Sequence, residues 1–165
     1  NKVFEIDLTY ITTRGQWYLY SWKGDASKSG GIATNIGVHF FDMLSWIFGE
    51  YTEIKTNIKK EDVNAGILKF KNANVRWFLS INSKHLIQNP VNKDLKTFRS
   101  IKVDNQEVEF SDGFTDLHTT SYVDILKGDG FGLEDAKPSI EIVSKIRSSA
   151  PLGLKGEYHP FCKLV

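Results

Sequence analysis

His39 is the residue of this sequence best placed to move a proton. It stands in Thr34-Asn-Ile-Gly-Val-His39-Phe-Phe-Asp42-Met-Leu-Ser-Trp-Ile-Phe48-Gly49. There Ile36, Phe40, Met43, Leu44 and Ile47 recur at spacings of three and four, the mark of an amphipathic helix. Thr34 or Asn35 can cap that helix and Gly49 can stop it. Asn35 and His39, four apart, then share a face near the positive helix end, where the neutral, proton-accepting imidazole is favoured. Asp42, three positions on, either orients His39 or faces solvent. A plainer reading also stands: a core histidine on an apolar helix, bonded to backbone.

The segment before it, Gly15-Gln-Trp-Tyr18-Leu-Tyr-Ser21-Trp-Lys23-Gly-Asp25-Ala-Ser-Lys-Ser-Gly30-Gly31, interleaves aromatics, hydroxyls and charges with glycine. Flat faces that stack and polar groups that fix orientation suit a polar, ring-shaped ligand. A packed surface loop anchored by its aromatics accounts for the same composition. A zinc site is rejected, because His85, His118 and His159 lie far in sequence from His39 and Asp42. Neither Gly-x-Gly-x-x-Gly nor the Gly-x-x-x-x-Gly-Lys-Ser/Thr phosphate loop occurs, so a dinucleotide would need a domain outside this sequence. His118 and Tyr122, four apart, read as a solvated helix face.

These residues need elements to position them. A first strand is expected over 3–12, a long loop over 13–34, and the helix to about Phe48. Strands follow over 51–58, 64–71 and 75–82, with a polar turn at 71–74. A second hairpin pairs 97–103 with 107–110 around Asp104-Asn105-Gln106. Two helices close the chain, 115–127 and one ending at Arg147, whose start Pro138 places near Lys137. Gly156-Glu-Tyr-His159-Pro160 reads as a tail that docks on a neighbour. Strands grouped before helices, without regular alternation, argue for a single α+β domain over 1–165 with an open, mainly antiparallel sheet and helices on one face.

Composition sets the bounds. The 165 residues are 41% hydrophobic and 25% charged, enough for a sizeable core. The formal charge of +1 gives no excess to hold a nucleic acid or an anionic membrane. No apolar run reaches the roughly 20 residues of a membrane span. A single cysteine, Cys162, cannot form an internal disulfide. The first residue is Asn1 and the only methionine is Met43, so the chain is expected to be a piece of a longer protein that carries part of an active site.

Ser29-Gly-Gly-Ile-Ala-Thr-Asn35-Ile-Gly-Val-His39-Phe-Phe-Asp42-Met-Leu-Ser-Trp-Ile-Phe-Gly49 resembles the signature helix of the C-terminal domain of the glucose-fructose oxidoreductase and inositol dehydrogenase (Gfo/Idh/MocA) superfamily. Tyr10-Ile-Thr-Thr-Arg14-Gly-x-Trp17-Tyr18-x-x-Ser21-Trp22-Lys23-Gly-Asp25 narrows the resemblance to the branch that oxidises UDP-N-acetyl-2-amino-2-deoxyglucuronate at the sugar 3-position in bacterial lipopolysaccharide and O-antigen synthesis. The likeness continues through Gly113 to His118 and Gly130 to Glu141.

The resemblance implies a glyceraldehyde-3-phosphate dehydrogenase-like C-terminal fold, with the N-terminal Rossmann domain outside this chain. It implies NAD as cofactor, held mainly by that domain, a UDP-sugar substrate, a cytoplasmic location, and a homo-oligomer through the open sheet face, to which Trp77 and Phe78 would contribute as exposed aromatics unless they belong to the intramolecular core, two readings that the sequence does not separate. It makes His39 the acid/base at the substrate hydroxyl and puts Arg14, Tyr18, Ser21 and Lys23 on the substrate side. Asn35 departs from the aspartate common in the superfamily; an amide relays no proton, so it is expected to position substrate or His39. The lysine of the family's Glu-Lys-Pro motif is absent from these residues, and the fragment alone is expected to be inactive. The rival expectation is a non-catalytic sugar-binding or assembly module on the same fold.

Overall fold

The structure is a computed structural model and describes residues 2–86, 96–109 and 116–165. One mixed sheet of six strands organises it, in the order β2-β3-β4-β1-β5-β6. The strands are β1 Phe4–Thr12, β2 Tyr51–Lys59, β3 Val63–Phe70, β4 Ala73–Ser80, β5 Thr97–Val103 and β6 Gln106–Glu107. Only β1 and β4 run parallel: the helical segment carries the chain from β1 to the edge strand β2, and the β2-β3-β4 meander returns it to β1; the other pairings are antiparallel, as expected. The turn from β5 to β6 holds Asp104 and Asn105 at φ +51° and +66°. Two consecutive left-handed residues make a tight hairpin whose twist matches its strands, and Asx side chains tolerate it best. Phe110 and Gly113 to Thr115 lie outside the described residues.

The helices are α1 Gln16–Tyr20, α2 Ala26–Ser29, α3 Val38–Phe48, α4 Leu117–Lys127 and α5 Leu133–Ser148. Helices α3 and α5 cover one face of the sheet, where Leu8, Trp77, Leu79, Phe41, Leu44, Ile142 and Ile146 form the main core. Alternation along each strand sends the neighbouring side chains to the opposite face. A second, smaller cluster sits there: Ile11, Val63, Ala65 and Phe78 beneath Tyr158, Phe161 and Cys162.

Several expectations are corrected. Residues 13–34 are two short helices and their bends rather than unstructured loop. The chain is already helical at Ile32, a π-helical turn over Ala33–Gly37 leads into α3, and the Thr34 hydroxyl donates to the Gly30 carbonyl at 3.0 Å instead of capping. Helix α5 starts four residues before Lys137, because the Asp135 carboxylate accepts from the Gly132 N–H at 2.7 Å and two acidic residues occupy its positive first turn. Pro138 is tolerated inside it, since the carbonyl left without an N–H partner belongs to solvent-exposed Glu134. Trp77 and Phe78 are not exposed: both are 0% accessible, one under the helices and the other under the tail. That tail docks on its own sheet. His159 is buried there, its Nδ1 accepting from the Phe161 N–H and its Nε2 bonded to Thr9 Oγ1, both at 3.1 Å.

Candidate active site

Two adjoining left-handed glycines set up the site. Gly30 and Gly31 have φ of +80° and +75°, a reversal that residues with a Cβ rarely make. A Cβ on Gly30 would collide with the Thr34 side chain. The pair thus turns α2 directly into the π-helical turn. A turn later Gly37 lies flat on the sheet: a Cβ there would sit 2.7 Å from the Phe41 ring and 2.9 Å from a Leu79 methyl. This close approach seats the start of α3 on β4, and a widened turn of this kind is often found at functional sites.

The structure gathers five of the six residues expected from the sequence at the corner between the α1–α2 segment and this helix. Asn35 Nδ2 donates to the Tyr18 hydroxyl and to the Lys23 carbonyl, both at 3.3 Å. Ser21 Oγ donates to the Tyr18 carbonyl at 2.8 Å and accepts from the Lys23 N–H at 3.3 Å. The Ser21 hydroxyl therefore closes the end of α1. Tyr18 is nearly buried; burial raises its phenol pKa, while the Asn35 bond and the Arg14 charge pull the other way. Arg14 and Lys23 are exposed, with the Lys23 ammonium over the Trp22 ring at 5.8 Å. Asn35 is thus the tie between the loop and the helix.

His39 stands apart from that knot. It is exposed, in the middle of a continuous helix rather than at its positive end, so the helix terminus does not act on it. The reading of His39 as a core histidine falls with its exposure. With Asp42, Met43 and Trp46 it lines a hollow of about 650 Å³ whose other wall is the start of α5, notably Phe131, Asp135 and Pro138. That wall was not legible as a site in the sequence. No hydrogen bond joins Asp42 to His39, so the aspartate does not orient the imidazole in this state. His118 and Tyr122 lie on the exposed surface of α4, as expected of a solvated face.

Among the described residues no three His, Cys, Asp or Glu side chains are close enough to hold a metal ion, and no helix is long and apolar enough to cross a membrane. Phe131 and Trp46 project from the rim of the His39 hollow, 83% and 81% exposed. The imidazole thus lies exposed in an open hollow with two outward aromatics on its rim.

Residues 2–90 match the oxidoreductase family C-terminal alpha/beta domain (GFO_IDH_MocA_C), so this chain belongs to the Gfo/Idh/MocA family. It is similar to the WlbA (WbpB) dehydrogenase of Thermus thermophilus. The structure of that enzyme with NAD and alpha-ketoglutarate is 46% identical with a TM-score of 0.90, covering 98% of this chain and 52% of the other. Its complex with NAD and UDP-GlcNAcA matches at 44% identity and a TM-score of 0.88 over the same shares. The WlbA dehydrogenase of Bordetella pertussis, at 17% identity and a TM-score of 0.63, covering 94% of this chain and 56% of that one, shares the fold. The chain spans about half the length of these solved relatives.

Proposed function

We propose that this chain is the substrate-binding domain of an NAD-dependent dehydrogenase that oxidises the 3-hydroxyl of UDP-N-acetyl-glucosaminuronate to a 3-keto sugar. The observation that carries the reading is the placing of an exposed imidazole, His39, one helical turn beyond an asparagine that ties down a cation-bearing loop. The likeness over 98% of the chain to an enzyme solved with NAD and UDP-GlcNAcA supports it.

His39 takes the proton of the substrate hydroxyl, and its exposure lets it reach a sugar and pass the proton on to water. Arg14 and Lys23 offer exposed cations to the sugar carboxylate or the diphosphate. Tyr18 and Asn35 hold the loop that carries them. The aromatic rim of the His39 hollow fits a planar ring arriving from another domain; when bound, NAD supplies the hydride acceptor for chemistry of this class. The dinucleotide is held mainly by a second domain of the kind that the longer relatives have room for. The remaining parts of the reading are a cytoplasmic enzyme of lipopolysaccharide and O-antigen synthesis, assembled as a homo-oligomer through the open sheet face.

The test is turnover by the full-length protein with UDP-N-acetyl-glucosaminuronate and NAD, followed by mass spectrometry for the 3-keto product as well as by NADH absorbance, since tightly held NADH hides net reduction. His39→Ala should remove turnover, by roughly two orders of magnitude or more for a lost acid/base, and leave nucleotide-sugar binding largely intact. Unchanged turnover excludes His39 as the base. The 165 residues by themselves should form no product. Binding of the nucleotide sugar with no oxidation by the full-length protein would favour a sugar-binding module instead.

A further inference from the structure

A second hollow, of about 510 Å³, opens on the other side of the substrate loop, where the N-terminal end of the signature helix meets the C-terminal end of α5 and the turn between β2 and β3. Its size falls within the range of small-ligand sites. Four cationic side chains line it, Lys23, Lys59, Lys60 and Arg147, against one carboxylate, Glu61. They come from three separate parts of the chain, so only the fold brings them together. Tyr18, Ile32 and Ile146 supply the apolar floor, and Gly30 and Gly31 leave the backbone bare at one edge.

The four cations are not equivalent. The Lys59 ammonium donates to the carbonyls of Arg147 and Ser149, closing the end of α5. Lys60 reaches only the Val165 main-chain oxygen, at 3.5 Å. The Arg147 guanidinium has no carboxylate partner among the described residues, and Lys23 has only the Trp22 ring. Three cations facing an open hollow with the single Glu61 carboxylate as counter-charge leave it net positive, and a multiply charged anion relieves the repulsion among them. A guanidinium beside two ammoniums suits phosphate oxygens, which the arginine fork binds in pairs.

We infer that this hollow is an anion subsite that takes the diphosphate of the nucleotide substrate, with Arg147 and Lys60 joining Lys23 as its ligands. The inference rests on the nucleotide-sugar reading above for the identity of the anion, though not for the existence of the site. The placement agrees with it. Ile32, on the hollow's floor, and His39 are seven residues apart along the helix, roughly 10 Å at about 1.5 Å per residue. A hexose ring with its reacting hydroxyl at His39 has the reach to put the phosphates on its C1 into the hollow.

The experiment compares the full-length protein with its Arg147→Gln/Lys60→Gln variant, using calorimetry with UDP-N-acetyl-glucosaminuronate, UDP, and inorganic diphosphate, and NADH binding as the check that the variant is folded. The expected result is that UDP and the nucleotide sugar bind about tenfold or more weakly to the variant, from the loss of two charge-assisted contacts, and that NADH binds as before. Wild-type affinity for the nucleotide should also fall with added salt more steeply than that of the variant. Equal affinity of UDP for the two proteins overturns the subsite while leaving the dehydrogenase reading in place. Diphosphate binding that the variant loses, in a protein that neither binds nor oxidises the nucleotide sugar, overturns the dehydrogenase reading and leaves an anion site that serves a free phosphate source. Should the double variant lose NADH binding as well, Arg147→Lys decides: it keeps the charge and loses the fork, and should still weaken UDP binding severalfold, whereas full wild-type affinity overturns the arginine's role.

Discussion

His159 is the more deeply buried of two buried histidines, the other being His85, and its surroundings fix its proton. Its Nδ1 accepts from the Phe161 N–H, so the remaining hydrogen is on Nε2 and points to Thr9 Oγ1. Burial beneath Phe78 and Phe161 drives its pKa from 6.5 down to about 4; Asp7 nearby raises it and Arg76 lowers it. Between those two values the unfolded chain binds a proton that the folded chain refuses. Stability from this group is therefore full above about pH 6.5 and falls as pH drops toward 4, by on the order of 3 kcal/mol over the whole window. His85, also lowered by burial, adds in the same direction. Urea titrations at pH 7.5 and pH 4.5 should show this loss, and His159→Gln should remove much of the slope; an unchanged slope would rule out His159 as its source. The sequence singled out His39 by its helical setting and left His159 in a tail; only the fold shows that the first is exposed and the second buried. The loop residues around Tyr18 and the exposed His39 were legible as candidates because they cluster in sequence. Phe131, Asp135, Lys60 and Arg147 were not, because each is brought to its site by the packing of α5 or of the β2–β3 turn.

Elements were legible where period and punctuation agree, and were misplaced where tertiary contacts outweigh local signals. The strands of the sheet and the end of α3 at Gly49 follow from alternation and a left-handed stop, whereas the start of that helix does not. Thr34 has the side chain of a cap, but the glycine reversal before it has already begun the helix. One glycine in a strand illustrates the same limit. Gly66 in β3 stands opposite Trp77 of β4, and a Cβ on it would press into the Lys55 carbonyl of β2 and lie 2.8 Å from the Trp77 ring. The indole, edge-on to Phe41 at 5.4 Å, has no room to retreat. Gly66→Ala should therefore destabilise the protein by about 2 to 3 kcal/mol through overpacking, despite adding a better strand residue. Chemical unfolding followed by tryptophan fluorescence checks it, and a neutral or stabilising effect would mean that β2 and β4 can part at that point.

The two sides of the molecule differ in their surface chemistry. On the helix side, Trp17, Trp22, Trp46, Leu126 and Phe131 are exposed, and α4 buries none of its residues. Apolar surface on that scale needs a fixed cover, and the relatives have about as much chain again to provide one. The open sheet face is instead laid out in opposite charges. Asp7 takes the Arg76 guanidinium through both oxygens at 2.5 and 2.7 Å, Asn74 donates to Glu5 at 2.7 Å, and Glu53 lies between Lys55 and Lys69 at 2.6 and 3.1 Å. With Trp77 and Phe78 buried, the aromatic contribution expected for this face is lost, and association of copies through it has to rest on charge and on strand-to-strand fit. A two-fold arrangement would set such an array against itself, each row of acids facing the partner's bases. Because exposed ion pairs are screened by salt, the oligomer proposed above should shift toward smaller species between 0.1 M and 1 M salt, where the screening length falls from about 10 Å to about 3 Å. Lys55→Glu with Lys69→Glu should have the same effect at low salt by replacing attraction with repulsion. Light scattering on the full-length protein measures both. An oligomer that keeps its mass under each condition would place the contact on the apolar helix side instead.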